Sequence, residues 1–480
     1  MKSIYLKQHI KTVDAHAANY LHISSFELMK QAGRALFCYI QNHQKILIVT
    51  GAGNNAGDGF VMALLALKNN QDVTVWNLIP IDDLPTDAQM AAQQYLHAGG
   101  KIIIEQSDED YDCIVDAIFG TGLSRTVVGI FEQAIHWINQ QQQAVILSVD
   151  IPSGLDADTG LIRGCAVWAD ITVSILCYKA GQFTNFGKDL CGKLFLEYIG
   201  VANTIISKVP SKVKLLDTSV LKSKELVRQH NTHKGTYGTA VIVGGHDGML
   251  GALMLAGQSA LRSGCGMVEV VSNSSRSVMI SIQCPELITA SSVHASLLLE
   301  KADVLAIGPG LGLNQHSSEV LEFCIKKNKA MVIDADALTL STNKYKFNKQ
   351  TVLTPHPKEA ARLLQTTVEM IQSDRITAAL EISKLYKATV ILKGSGTLVA
   401  NPEGEVYICP FGYSGMATAG MGDVLCGMVA GLMAQGLKAT RAAYIAVVWH
   451  ALSAQKCQLG NCLIASDVIN NLAPTLYDES

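Results

Sequence analysis

A glycine-rich stretch that ends in a carboxylate is the part of the chain best suited to chemistry. Residues 415–423 read Gly-Met-Ala-Thr-Ala-Gly-Met-Gly-Asp, and an apolar run, 424–432, follows directly. Glycines let the backbone approach a ligand closely, and the free N–H groups at a helix start favour an anion. Asp423 would repel a bound phosphate, so we interpret it as a general base for a hydroxyl that attacks the phosphate. The stretch therefore predicts phosphoryl transfer to an alcohol.

Other loops in the second half of the chain carry groups that suit the same chemistry. Lys393-Gly-Ser-Gly-Thr397 offers backbone N–H groups and one cation for nucleotide phosphates, although it lacks the spacing of a P-loop. His356 lies between two prolines, which restrict the backbone around it, and we interpret it as a substrate contact. Further polar or glycine-rich segments stand near expected strand ends, at 233–238, 308–312, 334–336 and 354–359.

Three loops in the first half also follow expected strands. They are Asn-Asn-Ala-Gly-Asp-Gly at 54–59, Asp-Ala-Ile-Phe-Gly-Thr-Gly at 116–122 and Asp-Ile-Pro-Ser-Gly at 150–154. Asn55, Asp116 and Ser153 are oxygen donors that suit a hard cation such as K⁺ and do not suit zinc. Each aspartate taken alone could merely cap a helix, which is common after a strand. Three such loops in one small domain favour a binding site.

Alternating strands and helices must position these loops. In the first half, strand 45–50, loop 51–59, helix 60–67 and strand 72–76 form a βαβ unit, which implies a parallel sheet. We predict further strands at 113–115, 144–149 and 171–175, a helix at 26–36, a junction at 207–231, and a second series of strands at 238–245, 268–271, 304–307, 330–333 and 388–392. Because open parallel sheets bind ligands at the carboxyl ends of their strands, two sites are expected, in domains 1–210 and 225–480.

Composition narrows the class of protein. The 480 residues are 49% hydrophobic and include 40 glycines, which fits an α/β protein of two or three domains. A net charge of −3 gives no basic field for nucleic acid, and no apolar run reaches membrane-spanning length. The 12 cysteines show no CxxC spacing and the N-terminus lacks a signal-peptide core. We therefore expect a cytoplasmic enzyme with free thiols, in a homo-oligomer.

The three loops of the first half together resemble the NAD(P)H-hydrate epimerase family. That family carries Asn-Asn-Gly-Gly-Asp-Gly, Asp-Ala-Leu-Phe-Gly-Thr-Gly and Asp-Ile-Pro-Ser-Gly loops in the same order, and the likeness covers about the first 200 residues. Ala56 stands here in place of a glycine and Ile118 in place of a leucine. Ala56 would matter only if its position needs a positive φ. The resemblance implies a Rossmann-like domain.

The resemblance also implies roles for particular residues. K⁺ would be bound by Asn55, Asp116 and Ser153. Asp150 would contact the nicotinamide nucleotide hydrate and is the best acid/base candidate. The other residues implied to line the hydrate are Asn54, Asn55, Ala56, Gly57, Asp58, Gly120, Thr121, Gly122, Leu123, Ser124, Arg125 and Thr126.

The loops of the second half resemble the ADP-dependent NAD(P)H-hydrate dehydratase family, which has a ribokinase-like fold. Ala419 and Met421 replace a glycine and a threonine of that family's Gly-Met-Ala-Thr-Gly-Gly-Thr-Gly-Asp motif, and Lys358 replaces the glycine of its Pro-His-Pro-Gly-Glu motif. The likeness runs from about Lys234 to the C-terminus. It implies hydrate contacts at Ala252, Gly310 or Gly312, His356 and Asp423, and it implies that Lys393, Gly394, Ser395, Gly396, Thr397 and Gly422 hold the nucleotide.

Together the two halves predict an enzyme that repairs hydrated NADH and NADPH. The first half would interconvert the R and S hydrates, and the second would dehydrate the S hydrate with ADP and Mg²⁺, giving AMP and phosphate. Two alternatives stay open from the sequence. One is a ribokinase-like sugar or vitamin kinase with a regulatory nucleotide-binding domain, and the other makes the first domain an assembly scaffold. The Asp150 loop and the oxygen donors favour the repair enzyme over both.

Overall fold

A computed structural model describes residues 1–106, 109–291, 295–342 and 344–479. The chain divides into two compact units, Ser3–Val213 and Lys214–Ser480, and Met1–Lys2 belong to the second of them. Strands and helices alternate in both. The expected α/β class is confirmed, and each unit is built around its own sheet.

The chain up to Val213 contributes the first set of elements. They are β1 (Lys2–Ile4), α1 (Lys7–Leu21), α2 (Ser25–Phe37), β2 (Lys45–Thr50), α3 (Asn54–Lys68), β3 (Asp72–Asn77), α4 (Thr86–His97), β4 (Lys101–Ile103), β5 (Cys113–Ala117), α5 (Ile130–Gln140), β6 (Val145–Val149), β7 (Ile171–Ile175), α6 (Gly187–Leu190), β8 (Lys193–Glu197), α7 (Asn203–Ile206) and β9 (Val213–Leu215), which ends in the second unit.

The remaining elements belong to the second unit. They are β10 (Thr239–Val243), α8 (Leu250–Arg262), β11 (Met267–Ser272), α9 (Val278–Gln283), β12 (Ile288–Ser291), α10 (Ala295–Lys301), β13 (Val304–Ile307), α11 (Gln315–Lys326), β14 (Ala330–Ile333), α12 (Ala335–Ser341), β15 (Thr351–Leu353), α13 (Pro357–Leu364), α14 (Val368–Ser373), α15 (Arg375–Tyr386), β16 (Thr389–Leu392), β17 (Leu398–Ala400), β18 (Val406–Ile408), α16 (Met421–Ala434), α17 (Ala439–Cys457) and α18 (Ala465–Glu479).

The sheet of the first unit has seven strands in the order β4-β3-β2-β5-β6-β7-β8, and its neighbouring strands run parallel. After β2 the chain builds outward through β3 and β4, whereas β5 starts on the other side of β2. The order therefore reverses between β2 and β5, and the loops that follow these strands flank the crevice in which such sheets bind ligands.

The larger sheet has eleven strands in the order β1-β9-β18-β17-β16-β15-β14-β13-β10-β11-β12. The strands from β16 to β12 in this order are parallel, and β16, β17 and β18 pair antiparallel. Its order reverses at β10, which lies between β11 and β13. Helices α8 and α16 pack on the apolar face of this sheet, in a core that also contains Ile242, Val304 and Val332.

One predicted boundary in the first unit is wrong. We expected a loop over 51–59 and a helix from Phe60, but α3 begins at Asn54. Gly53 is extended, with φ −116°, and serves as the N-cap. A glycine-rich segment discourages a helix in the interior because glycine loses the most entropy on folding. Here, burial of Ala56, Gly57 and Gly59 against the core compensates for that cost.

Candidate active sites

The loops after β2 and β5 approach so closely that one position must be glycine. A Cβ on Gly51 would lie 2.2 Å from the carbonyl oxygen of Ile118, a backbone atom that cannot rotate away. This contact brings the start of α3, and with it Asn54 and Asn55, beside the loop that follows Asp116. The first two loops of the sequence motif therefore meet at the predicted crevice.

The three oxygen donors predicted to bind K⁺ lie in one hydrogen-bonded group. The buried carboxylate of Asp116 accepts hydrogen bonds from the Ser153 N–H at 2.8 Å, from the Ser153 hydroxyl at 2.5 Å and from the Ser148 hydroxyl at 2.7 Å. The Ser153 oxygen in turn accepts from the Phe119 N–H at 2.8 Å. Burial raises the pKa of Asp116, and these donors partly offset that effect.

Asn55 faces the same place from the start of α3. Its side-chain amide contacts the carbonyl oxygens of Phe119 and Val149, both at 3.2 Å. These two backbone carbonyls are oxygen atoms that the sequence motifs alone could not show. Among the described residues there is no cluster of three or more His, Cys, Asp or Glu side chains that could hold a metal ion.

Asp150 follows β6 in an unusual backbone conformation. Its φ is 67°, in the left-handed region that aspartate tolerates better than most residues. The backbone of this residue is held on both sides, because its N–H donates to the Val173 carbonyl at 2.8 Å and its carbonyl accepts from the Gln182 side chain at 2.9 Å. Strain of this kind persists where the surroundings fix it, commonly at functional sites.

Lys179 is a part of this site that sequence reasoning missed. Its ammonium group forms an ion pair with Asp150 while its side chain is only 1% exposed, against 16% for that of Asp150. Burial lowers the pKa of Lys179, but the charge and hydrogen bond of Asp150, together with the nearby Cys177 and Asp14, outweigh burial and the pKa is raised overall. Lys179 stands four residues after the predicted strand β7, and a lysine close to a strand's carboxyl end is the signal that could have found it.

Two further carboxyls carry abnormal pKa values beside Asp150. The protein packed around Asp14 desolvates it and the charge of Asp150 adds to the effect, raising its pKa to about 6 although its side chain still reaches solvent. The same two causes raise the pKa of Asp58 well above its ordinary value. Carboxyls with raised pKa values are typical of sites that perform acid/base chemistry.

The loop 120–126 is attached to the rest of the unit through Lys7. The Lys7 ammonium donates to the Leu123 carbonyl at 2.6 Å and pairs with the buried Asp156 at 2.8 Å. Leu123 itself is buried in the apolar core, as Ala56 is. Gly122, Ser124, Arg125 and Thr126 are exposed, and Gly120 and Thr121 are partly exposed.

In the second unit, Asp423 lies in the first turn of α16. The N-cap is Gly420, with φ 86°. Burial and the charges of Asp334 and Asp336 together raise the pKa of Asp423 to about 7, against the opposing charge of Lys393. A carboxyl with this pKa is half ionised near neutrality, which suits a general base.

Lys393 connects the predicted nucleotide loop to this helix start. Its ammonium lies 3.1 Å from the buried carboxylate of Asp334, and a Cβ on Gly422 would approach it to 3.3 Å. The charges of Asp334 and Glu359 raise the pKa of Lys393 against the effect of burial. The cation therefore lies next to the first turn of α16.

His356 has a structural role that the sequence did not reveal. It is the N-cap of α13, where its Nδ1 accepts from the N–H groups of Lys358 at 3.1 Å and Glu359 at 3.3 Å. Burial and the charge of Lys393 lower its pKa, so the ring is neutral and Nδ1 can accept. The side chain is 45% exposed and its Nε2 lies 3.4 Å from Glu359, whose pKa burial raises to about 7.

The remaining predicted hydrate contacts lie where the order of the larger sheet reverses. Gly310, with φ 58°, approaches Met249, since a Cβ on it would lie 2.7 Å from the Met249 Cβ and 3.5 Å from that of Ala252. The Gly312 N–H donates to Asp336 at 2.8 Å. Because the charge of Asp336 also raises the pKa of Asp423, these loops lie near the start of α16.

Four of the five departures from the family motifs leave the backbone undisturbed. Ala56, Lys358, Ala419 and Met421 are absent from the described non-glycine residues that have positive φ, so a Cβ is tolerated at each. Met421 is buried among apolar residues. It supports the start of α16 by packing, whereas a threonine there would offer a hydroxyl.

Within the described ranges, the structure contains no helix with both the length and the apolar character needed to cross a membrane.

Comparisons with known proteins cover both units. A family model described as NAD(P)H-hydrate dehydratase matches residues 240–473, and one described as YjeF-related protein N-terminus matches residues 25–181. The chain is 36% identical over 485 residues to a bifunctional NAD(P)H-hydrate repair enzyme of Vibrio cholerae, covering 98% of each chain. It is 35% identical over 460 residues to the corresponding Escherichia coli enzyme, covering 94% of this chain and 89% of that one.

Solved structures resemble the second unit. An ADP/ATP-dependent NAD(P)H-hydrate dehydratase from Bacillus subtilis, co-crystallised with ATP and Mg²⁺, is 27% identical, covers 56% of this chain and 100% of its own, and has a TM-score of 0.51. A ribokinase-like superfamily protein from Enterococcus faecalis is 24% identical with a TM-score of 0.53, over 56% of this chain and 98% of that one. The expected ribokinase-like fold of the second unit is confirmed.

Proposed function

The chain belongs to the family of bifunctional NAD(P)H-hydrate repair enzymes, and we propose that its two units divide the two reactions between them. Domain 1–210 epimerises the hydrates, and domain 225–480 dehydrates the S hydrate with ADP. The observation that carries the second assignment is Asp423, a carboxyl with a pKa of about 7 at a helix start that lies above Lys393.

The dehydratase reaction begins at the C6 hydroxyl of the hydrate. Asp423 takes its proton while the oxygen attacks the terminal phosphorus of ADP, so AMP departs and the hydroxyl becomes a phosphate ester. Hydroxide is a poor leaving group and phosphate is a good one, so phosphate then leaves C6, a proton leaves C5 and the ring double bond is restored. Lys393, Gly422 and the N–H groups at the start of α16 bind the negative charge that develops.

Mg²⁺ would accompany the nucleotide. It is usually bound through one or two carboxylates together with substrate phosphates, and it neutralises phosphate charge when bound. Asp334 is occupied by Lys393 at 3.1 Å and by the Thr354 hydroxyl at 2.6 Å. Asp336 uses one oxygen for the Gly312 N–H, and its second oxygen is the carboxylate donor that best fits the metal.

In the first unit, Asp150 is the proposed acid/base group. The hydroxyl and the ring nitrogen of the hydrate share C6, so the C–O bond can break to leave a nitrogen-stabilised cation. The departing oxygen takes a proton from an acid, and water then adds to the opposite face and gives its proton to a base. Asp150 is held in place by its ion pair with Lys179, and burial and the charge of Asp150 raise the pKa values of the neighbouring Asp14 and Asp58.

K⁺ is the proposed cation of the epimerase. The donor set fits a hard monovalent ion, since the Asn55 amide, the Ser153 hydroxyl and the carbonyls of Phe119 and Val149 gather around one place. Asp116 supports them from the buried side through its hydrogen bonds to Ser153. Ser153→Ala should therefore weaken epimerisation and its dependence on K⁺, with dehydration of pure S hydrate near normal. Equal loss of both activities would point to a folding defect instead.

One incubation tests the whole assignment. The protein is given a mixture of R and S hydrates with ADP and Mg²⁺, and the return of dihydronicotinamide absorbance is followed against a blank without protein. Both epimers should be recovered completely, with AMP and phosphate as products and with ADP a better donor than ATP. Recovery that stops at the S fraction would show an inactive first unit. Phosphate transfer to a sugar or vitamin, giving a stable ester, would show a kinase.

Cytoplasmic location and a homo-oligomeric state stay predictions. Cell fractionation tests the first, and light scattering on the purified chain tests the second.

A further inference from the structure

A buried arginine lies beneath the nucleotide loop without a carboxylate partner. Arg375 opens α15, and its side chain is 2% exposed. Within the described ranges no ion pair involves it, and its Nε has no hydrogen-bond partner. Burial lowers its pKa to about 10, so the guanidinium is still charged at neutral pH. A buried cation without a counter-ion is costly unless other groups stabilise it.

The groups around Arg375 are mainly backbone carbonyls of the loop. One terminal nitrogen lies 3.3 Å from the Leu392 oxygen, 3.4 Å from the Lys393 oxygen and 3.5 Å from the Gly396 oxygen. The other terminal nitrogen donates to the Gln372 side chain at 2.9 Å. The three carbonyl contacts are long for hydrogen bonds, so they act chiefly through the attraction between a charge and oriented dipoles.

The planarity of the peptide bond means that these carbonyl directions also set the directions of the neighbouring N–H groups. In a trans peptide, the N–H points opposite to the C=O of the same unit. Because the carbonyls of Lys393 and Gly396 turn toward Arg375, the N–H groups of Gly394 and Thr397 turn away from it. The peptide unit between Leu392 and Lys393 has the same orientation. Its carbonyl faces Arg375, and its N–H, which belongs to Lys393, donates to the Pro355 carbonyl at 2.9 Å on the side away from Arg375.

The glycine at the tip of the loop is required by the same side chain. Gly394 has φ 141°, and a Cβ on it would lie 2.6 Å from a guanidinium nitrogen of Arg375. Gly394 and Ser395 are exposed while the arginine is buried directly below. One face of the loop therefore presents carbonyls to a cation, and the other presents N–H groups to solvent.

We propose that Arg375 is a positioning residue for nucleotide binding, which orients the N–H groups of Gly394 and Thr397 toward the phosphates of a nucleoside diphosphate. It holds the carbonyl dipoles of the loop away from the anion and adds a buried positive charge behind it. This role rests on the proposed function, because the loop must be the nucleotide site. Arg375 does not touch the nucleotide itself.

The test measures ADP affinity by calorimetry for the full chain and for Arg375→Lys and Arg375→Met. Lysine keeps the charge but lacks the planar fork that faces several carbonyls at once. Both variants should bind ADP about tenfold more weakly or worse, the size expected when hydrogen bonds to a charged group are lost. The KM for ADP should rise by a similar factor, while the KM for the S hydrate stays within about twofold of its original value.

Arg262→Met is the matched control, because this substitution removes the same charge from the same unit. Arg262 is an exposed residue at the end of α8. It should bind ADP as the unmodified chain does. If Arg375→Met fails to fold in a thermal melt, Arg375→Lys decides. Arg375→Lys with unchanged ADP affinity would overturn the inference, since charge alone would then suffice. Equal rises in both KM values would also overturn it, in favour of a structural role. An unmodified chain that binds no ADP would overturn the proposed function as well.

Discussion

Asp423 combines a helix start, a nearby cation and a raised pKa in one residue. Asp423→Asn keeps the shape of the side chain but cannot accept the hydroxyl proton. We expect dehydration of the S hydrate to fall by about 10²–10⁴-fold, the usual contribution of a general base. ADP binding should survive or tighten, because the variant removes a negative charge beside the phosphates.

Turnover and ADP affinity are measured on the same preparation, and epimerisation by the first unit serves as the internal control. Turnover by Asp423→Asn close to that of the unmodified chain would remove Asp423 from the mechanism.

The pH dependence of dehydration follows from the same carboxyl. Burial and the charges of Asp334 and Asp336 raise the pKa of Asp423 to about 7, and only its ionised form can act as a base. The kcat/KM for the S hydrate should therefore fall tenfold per pH unit below about pH 7 and level off above it. A rate profile from pH 5 to 9 under saturating ADP measures this.

Glu359 has a similarly raised pKa of about 7, so its protonation is the main alternative explanation for a fall in kcat/KM below pH 7. If Asp423 is the base, Glu359→Gln should still show the fall in kcat/KM below pH 7. Loss of that fall in Glu359→Gln would contradict the assignment to Asp423. The same fall in the residual activity of Asp423→Asn would also contradict it.

At the scale of elements, the close contact of α8 and α16 sets the position of the dehydratase site. A Cβ on Gly427 would lie 1.9 Å from the Ala256 carbonyl oxygen, and one on Gly431 would lie 2.6 Å from that of Ala260. Small residues on α16 thus let two helix backbones nearly touch. Because Asp423 lies at the start of α16, the distance between α8 and α16 also sets how deeply its carboxylate is buried.

Gly427→Ala should therefore separate the two helices. We expect the free energy of unfolding of the second unit to fall by about 1–3 kcal/mol, as for other overpacked sites, with a loss of dehydration and no loss of epimerisation. Thermal unfolding measures the change. Gly251→Ala on α8 is the control, since a Cβ there meets no atom within 4 Å. Equal unfolding temperatures for the two variants would show that the helices tolerate a wider spacing.

At the scale of the molecule, each site is built within one compact unit. The residues proposed for epimerisation lie in Ser3–Val213, and those proposed for dehydration lie in Lys214–Ser480. A change that disables one site should therefore leave the other intact. We expect a mixture of Asp150→Asn chains and Asp423→Asn chains to recover both epimers with ADP, although neither variant does so alone.

The final dihydronicotinamide absorbance of the mixture measures this complementation. A blank that contains only the Asp150→Asn chains records how much recovery comes from spontaneous epimerisation. A mixture that stops at the S fraction would show that the two sites must belong to one chain.

Much of the fold followed from local pattern. Strands such as Ile171–Ile175, Val304–Ile307 and Ala330–Ile333 have the predicted bounds, because short runs rich in apolar residues are buried in parallel sheets whatever surrounds them. The positions of the functional loops followed as well, since parallel strands gather their carboxyl ends at one edge. The motifs determined the residue types at those ends and hence the expected chemistry.

Contacts between distant segments were decided only by the tertiary structure. Lys179 and Arg375 stand outside the predicted motifs, and their importance comes from the elements that bury them against Asp150 and the nucleotide loop. His356 is predicted from the sequence to contact the substrate, and only the structure shows that its ring also caps α13, because the Lys358 and Glu359 N–H groups reach Nδ1. The early start of α3 depended on burial of its glycines. A sequence fixes which groups are available, whereas burial and mutual distance, which set pKa values and partners, arise only when the elements pack.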